Sequence, residues 1–314
     1  MKKSLLLFGI LGALIFIACS NIKAEENNKN VEKSATENLD STLETAKELS
    51  SAFKEYWYAG NAEITSYKLE QARYGESREG KAVLIYVTED FLPKEQVKAD
   101  YQNAKNIPVL KLNATKKFNT GIYPYSIMQS TFYPVADNQH AIKVSSSMQE
   151  WCGHVYAQLN NRATYDIISH SYFQGEADQD FSLEKDILEN ELWTKIRIDP
   201  DNLPQGDLKI IPSFEYCRLK HKEIKAYSAK ATLQKNTTTS VYSINYPSLN
   251  RNISITFNSA FPYEIESWTE TFKSGFGANA KELITKATKV KLIKSPYWNK
   301  NSNKDEVLRQ ELGL

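Results

Sequence analysis

Four side chains in one stretch of the chain could act on a substrate or hold a metal. They are Cys152, His154, Asp166 and His170, inside "QEWCGHVYAQLNNRATYDIISHSYF". The whole chain has only three cysteines and four histidines, so their gathering here asks for a reason. A thiol beside an imidazole can form a thiolate nucleophile, and a carboxylate can orient the imidazole as the base. One Cys, two His and a carboxylate are also an adequate zinc set. What would position them is a β-hairpin. With a three-residue loop at Asn160-Asn161-Arg162, Leu159 faces Ala163, Ala157 faces Tyr165 and Val155 faces Ile167, which places every apolar partner on one side. The other side then carries Cys152 opposite His170, His154 opposite Ile168 and Tyr156 opposite Asp166, with opposed Cβ atoms about 4.5–5.5 Å apart. The same pattern also describes an ordinary hairpin whose polar face meets water, with Gly153 marking a bulge. No residue is therefore committed to catalysis or to a metal, and no cofactor is expected.

Elsewhere the chain lacks the usual chemical signatures: no G-x-S-x-G, no H-E-x-x-H, no Walker A loop and no paired C-x-x-C. Its pattern is that of strands. Tyr numbers 18, aromatics reach 11%, and Thr, Val and Ile recur in alternating runs. Strands are expected on both sides of a turn at Gly75–Gly80, between Ile142 and Phe173, and in "DLKIIPS", "KEIKAYSAKATLQ", "TTTSVYSINY", "RNISITFN" and "YEIESWTETF". "AVLIYV" is apolar on both faces and should be covered on both. "KKFNTGIYPYSIMQSTFYPV", broken by Gly121, Pro124 and Pro134, suits short strands and irregular loop. Helical spacing points to helices near 42–57, 184–198 and 303–312, with Ser41 as the first N-cap. Strands that follow one another without long crossovers imply a mainly β fold: an antiparallel meander forming a curved sheet or open barrel, with a few short helices at its ends.

The first residues speak to compartment. Lys2 and Lys3 precede an uncharged apolar run of 14 residues, Leu5 to Ala18. A bilayer-spanning helix needs roughly 18 or more, so the run reads as a signal-peptide core over 1–18. It ends in Phe16-Ile17-Ala18-Cys19, which resembles a bacterial lipobox. That resemblance implies cleavage before Cys19 and acylation of its thiol, and two or more acyl chains make a stable anchor. Ser20 in place of Asp favours the outer membrane by similarity to lipoprotein sorting rules. Residues 19–41 are polar and too poor in apolar groups to fold, so they read as a tether to a single β-rich domain over 42–314. Two of the 39 basic residues, Lys2 and Lys3, leave with the signal and face 38 acidic ones, so the net charge is near −1. Nothing in that balance attracts nucleic acid. Cys152 and Cys217 could pair in an oxidising compartment or could both be small buried apolar residues.

Several long strings carry a resemblance: "EYWYAGNAEITSYKLEQARYGESREG", "VLIYVTEDF", "KKFNTGIYPYS", "QEWCGHVYAQLNNR", "ELWTKIR" and "YWNKNSNKDEVLRQELGL". They resemble a family of Bacteroidota-type lipoproteins often labelled septum formation inhibitor Maf. The Ser/Arg-rich motif of the cytoplasmic pyrophosphatases that share this label is absent. The resemblance thus implies a lipid-anchored envelope protein and carries over no catalytic residue. Two readings of function follow. One is a non-catalytic binding module whose concave, Tyr-rich face holds an apolar or glycan ligand or an envelope partner. The alternative is an envelope hydrolase or thiol/zinc enzyme centred on Cys152 and His154. The lack of motifs favours the first.

Overall fold

Alternating burial along the strands fixes one inward face for a single large sheet. In the segment over 153–161, Val155, Ala157 and Leu159 are buried while His154 and Tyr156 are exposed, the period of two that a one-sided core demands. The computed structural model describes residues 48–136 and 139–314. The signal run, Cys19 and the tether lie outside the described residues, as does the first part of the helix expected over 42–57.

The described residues form sixteen strands and four α-helices. In chain order the first half holds α1 (Ser51–Trp57), β1 (Ala62–Arg73), β2 (Glu76–Leu92), the two-residue β3 (Val97–Lys98), β4 (Ile107–Thr120), β5 (Tyr123–Pro134), β6 (Lys143–Glu150), β7 (Gly153–Asn161), β8 (Tyr165–Ser171) and β9 (Gln179–Leu183). The second half holds β10 (Ile187–Leu188), α2 (Glu189–Ile198), β11 (Gly206–Ile211), α3 (Phe214–Leu219), β12 (Tyr227–Gln234), β13 (Thr239–Tyr246), β14 (Arg251–Asn258), β15 (Ile265–Ser274), β16 (Lys281–Ser295) and α4 (Val307–Glu311).

Within the sheet β10 to β16 follow in order, β16 pairs with β1, and β1, β2 and β4 to β9 complete the row, while β3 touches only β2. The two edge strands β9 and β10 are consecutive in the chain. Leu183 and Ile187 lie four residues apart, so at most about 14 Å separates the edges there. Laid flat at about 4.8 Å per strand, the same row would be roughly 65 Å wide. The sheet must therefore curl almost to closure, and the expected open barrel is what forms. Its pairs are antiparallel apart from the short parallel contact of β10 with β11.

The concave face is not an empty Tyr-rich trough. Tyr67, Tyr86, Tyr125, Tyr242 and Tyr246 are buried there, and α2 and α3 fill the space between them. Leu192 and Ile196 of α2 join this core. So do charged groups, each with its partner. Arg197 binds Glu63 through two contacts of 2.6 Å. Arg251 binds Glu189 with both Nη groups and Glu270 through Nε at 2.6 Å. Lys116 meets Glu215 at 2.7 Å. Outside the sheet the segment after α4 covers the second apolar face expected for "AVLIYV": Leu312 and Leu314 pack with Val83, Ile85 and Val87.

Several boundaries differ from expectation. The described part of the first helix runs only over Ser51–Trp57, and its N-cap is Ser50, whose hydroxyl accepts the Phe53 N–H at 3.1 Å. The helix expected over 184–198 starts at Glu189, because Ile187 and Leu188 pair with Ile210 and Ile211 in the sheet. The helices α2 and α3 sit inside the barrel, not at its ends. The β1–β2 turn is only Tyr74-Gly75. Gly80 lies within β2, where a Cβ would fall 2.4 Å from the Lys117 carbonyl oxygen. The region around Gly121 is two long strands joined by Gly121-Ile122, not irregular loop. The strand β16 carries small inward residues, Thr285 and Ala287, and its weak apolar signal gave no expectation.

Candidate functional site

The stretch that opened the sequence argument is a hairpin tip. Glu150 pairs with Gly153, so Trp151 and Cys152 form a two-residue turn between β6 and β7. The next hairpin has the expected faces and a different register. Leu159 pairs with Ile167, Ala157 with Ser169 and Tyr156 with His170. The whole pairing is displaced by four residues from the expected one. An even displacement keeps every side chain on its face, so Val155, Ala157, Leu159, Tyr165 and Ile167 are still buried. The cause lies at the loop. Asn161 is held in the ladder, its N–H bonding the Ile142 carbonyl at 2.9 Å and its side chain the Ala141 carbonyl at 3.0 Å. The turn moves on to 162–164.

The displacement separates the candidate site. Cys152 lies four residues, about 13 Å, beyond the Tyr156 that faces His170. His170 instead meets Asp178 at 3.3 Å, His154 faces Gln149, and Asp166 accepts the hydroxyls of Thr164 at 3.0 Å and Ser182 at 3.2 Å. Among the described residues no three His, Cys, Asp or Glu side chains could share a metal. Cys152 and Cys217 are both free, the first exposed and the second buried. A hydrogen bond with the Glu150 carboxylate raises the pKa of the Cys152 thiol, the reverse of what a thiolate nucleophile needs. Gly153 has a packing reason: a Cβ there would fall 2.6 Å from Cγ of Tyr172, whose ring covers it.

Tyr172 leads to the site that the fold does assemble. In a meander, alternate connections lie at the same end of the sheet. The turns β1–β2, β4–β5, β6–β7, β8–β9, β13–β14 and β15–β16 therefore share one end, the mouth, with the α3 segment. Direct contacts join several of them: Gly75 approaches Gly275, the Tyr74 and Phe276 rings stack at 5.8 Å, and the Tyr74 and Tyr125 hydroxyls meet at 2.9 Å. Five of the six turns carry a large exposed apolar side chain, Tyr74, Ile122, Trp151, Tyr172 and Phe276, and only the β13–β14 turn does not. Five large apolar side chains among the described residues are more than 60% exposed. Ile122 (82%), Trp151 (68%), Tyr172 (63%) and Phe276 (73%) are at this mouth, and Tyr101 (85%) is at the other end. Single exposed apolar residues need no explanation, but a ring of them does. Tyr74 also holds φ +54° beside Gly75 at +80°. Such a turn suits Asn-Gly, and a bulky residue in that conformation costs about 1–2 kcal/mol.

Two of these side chains, Tyr74 and Phe276, wall a pocket of about 400 Å³, lined also by Arg73, Phe173, Lys220 and Phe272. Arg73 donates from Nη1 to the Leu219 carbonyl at 2.6 Å and from Nη2 to the hydroxyls of Tyr74 at 3.0 Å and Tyr125 at 3.1 Å; its Nε has no partner. Arg218 lies 4.0 Å from the Phe173 ring, and neither its Nε nor its Nη1 has a partner. Both arginines are buried, 8% and 7% exposed. Burial pushes the Arg218 pKa down; Glu176 opposes this and Arg73 adds to it. Glu176 is itself bound to His221 at 2.6 Å and to Ser171 at 2.5 Å.

Two other spaces differ in kind. A void of about 60 Å³ between α2, α3 and the sheet, beside Trp193 and Trp268, holds a few waters at most. An open groove of about 900 Å³ on the outer face has an apolar floor of Val83, Ile85, Met128 and Ile293, and α4 forms one wall. Its basic groups, such as Lys81 and Arg309, are exposed.

No family model matches the chain, and no curated protein matches it. Among solved structures it is similar to a β-barrel-like protein of the domain of unknown function DUF1849 from Brucella abortus, at 8% identity and a TM-score of 0.37, over 74% of this chain and 98% of that one.

Proposed function

We propose that the protein is a non-catalytic binding module, lipid-anchored through Cys19 at the outer membrane of the bacterial cell envelope, which takes an apolar ligand at the ring of hairpin tips. The observation that carries this reading is the ring itself: five of the six turns at one sheet end carry an exposed apolar side chain, and two of these, Tyr74 and Phe276, wall a pocket of about 400 Å³. Turns ordinarily carry small polar residues that suit their backbone and meet water. Aromatic and aliphatic groups at such positions leave apolar surface in water that a core would have buried. A pocket with apolar walls and a few convergent polar groups is the usual form of a small-molecule site. The concave face is occupied by α2 and α3, so the mouth, not the trough, receives the ligand. The anchor rests on the apolar run and the lipobox-like Phe16-Ile17-Ala18-Cys19.

The test uses the full chain carrying Cys19→Ser, which has no acyl anchor and needs no detergent. A neutral apolar fluorophore, N-phenyl-1-naphthylamine, should bind saturably. Trp151→Ala and Phe276→Ala should each weaken it several-fold, in line with the loss of a large apolar contact. Absence of saturable binding, or binding indifferent to both substitutions, would refute the reading. The same substitution should release the protein from the membrane fraction.

A further inference from the structure

Arg73 lines this pocket and Arg218 stacks on its Phe173 wall, and the protein's own packing leaves both with buried donors that have no partner. Every other guanidinium placed as deeply has a carboxylate: Arg197 has Glu63, and Arg251 has Glu189 and Glu270. Arg73 and Arg218 have no ion pair with a carboxylate among the described residues. Taking a charge out of water costs several kcal/mol unless a partner repays it. At Arg218 burial is the main cost, Arg73 adds to it, and Glu176 and Glu150 offset part of it from a distance without forming an ion pair. The folded chain nevertheless holds both in place. Arg73 is fixed by three hydrogen bonds, one to the backbone of α3 and two to tyrosine hydroxyls. Arg218 is fixed by its stack on Phe173. Nε of both residues and Nη1 of Arg218 remain as N–H donors with nothing to donate to. Preorganised, desolvated donors of one sign beside an apolar pocket are the arrangement that recognises an anion, because charge-assisted hydrogen bonds are strongest where water is excluded.

We propose that Arg218 and Arg73 form a head-group subsite of the mouth pocket, and that its ligand is an amphiphile with one oxyanion, a phosphate or a carboxylate, on an apolar body. The proposal rests on the binding reading above and adds the chemical class of the ligand. The division of labour follows from position. Tyr74 and Phe276 wall the pocket, where they can hold the apolar body. Arg73 lines the same pocket, and Arg218 lies against Phe173, another of its walls. Lys220 and His221 line the same pocket, but Lys220 is bound to the Lys273 carbonyl at 2.6 Å and His221 to Glu176. The two arginines differ from both in keeping buried N–H donors without a partner.

The test displaces the neutral fluorophore from the Cys19→Ser chain with four probes: dodecyl phosphate, dodecanoate, dodecanol and inorganic phosphate. At least one of the two anionic amphiphiles should displace it about tenfold better than dodecanol, the ratio expected for one charge-assisted bond. Whichever of the two does so identifies the head. That advantage should fall below about threefold in Arg218→Gln and in Arg73→Gln, with dodecanol affinity unchanged, and Arg218→Lys should recover part of it. Should a variant fail to fold, the wild-type chain decides alone: raising the salt concentration should weaken the anionic amphiphile and leave dodecanol untouched. Equal displacement by dodecanol and both anions overturns the head-group subsite and leaves the binding module standing. So does an advantage that survives both Gln variants, or inorganic phosphate competing as well as dodecyl phosphate. If no probe and no fluorophore binds, both readings fall.

Discussion

Two sets of buried arginines divide this molecule into a part that holds the fold and a part that is available for binding. On the inner face Arg197, Arg251 and Lys116 are each neutralised at close range. Arg197 meets Glu63 with both Nη groups and adds the Pro262 carbonyl at 2.9 Å, while Tyr56 donates to the same carboxylate at 2.5 Å. At the mouth, Arg73 and Arg218 are as deeply placed and have no carboxylate. The comparison teaches that burial of charge alone says little about function. The informative fact is whether the protein supplied the counter-charge. The paired set links α2 to β1 and β14, and β14 to β15, so it orients that helix within the barrel. The unpaired set ties β1 to the end of α3 through a single neutral carbonyl, that of Leu219.

That difference predicts opposite responses to the same kind of substitution. Arg197→Met leaves Glu63 buried without its guanidinium, and should cost about 3–5 kcal/mol in urea unfolding. The double change Glu63→Met with Arg197→Met should recover most of the loss. Arg218→Met, which removes a buried charge that has no ion pair, should be neutral or stabilising. A loss at Arg218 as large as that at Arg197 would erase the distinction between the two regions. Acid should sharpen it. Burial opposes ionisation of Glu63 and Glu189, but Arg197 and Arg251 outweigh it and hold both carboxyls below their ordinary range. A carboxyl depressed in the folded state stabilises in full above its unfolded value, about 4.3, and loses that contribution as pH falls through the folded value. Stability should therefore fall below about pH 4.3 in wild type and in Arg218→Met alike, with a shallower fall in Glu63→Gln.

Gly153→Ala gives a smaller effect that reports on the mouth. The added Cβ would meet Cγ and Cβ of Tyr172 at 2.6 and 2.9 Å, atoms too near the backbone to swing away cheaply. Overpacking of this kind costs about 1–3 kcal/mol. It should also displace Tyr172 from the rim and weaken the neutral fluorophore. Unchanged stability and unchanged binding together would show that this tip is loose and plays no part in the ring.

The sequence made the sheet legible and hid most of the site, for physical reasons. Period-two alternation sorted Val155, Ala157, Leu159, Tyr165 and Ile167 to the core correctly. It is blind to a displacement by an even number of residues, which is why the register that would have joined Cys152 to His170 was out of reach. The stretch "ENELWTKIRI" reads as an amphipathic surface helix, yet Glu189, Glu191 and Arg197 are buried; their partners Glu63 and Arg251 lie far away in the chain. Leu183, Ile187 and Leu188 fit a helical stripe as well as strand ends, and only their pairing in the sheet decides. The ring did leave a trace. Tyr74-Gly75, Gly121-Ile122, Trp151-Cys152-Gly153 and Gly275-Phe276 each set a large apolar residue in or beside a turn glycine, against ordinary turn chemistry. Arg73 and Arg218 left none, because an unpaired guanidinium is defined by what the fold fails to bring near it.

The smallest expected effect separates the two neighbours at the β6–β7 tip. Trp151 belongs to the ring, whereas Cys152 is a turn residue whose thiol pKa is raised by its hydrogen bond with Glu150. In the native Cys19→Ser chain a disulfide reagent should modify one thiol. Cys217 is buried, its pKa pushed up to about 12 by that burial, and it should react only after unfolding. Cys152→Ser should remove the native reaction, change stability by less than about 0.5 kcal/mol, and leave fluorophore affinity as it was. Trp151→Ala should weaken binding and leave the thiol reactive. The two substitutions touch adjacent residues of a single turn, so general disturbance of the tip would affect both measurements in both variants. Only a division of roles between the side chains gives the crossed pattern. A fall in affinity on Cys152→Ser equal to that on Trp151→Ala would move the function of the tip from the indole to the thiol, and would reopen the chemistry that the register of β7 and β8 argues against.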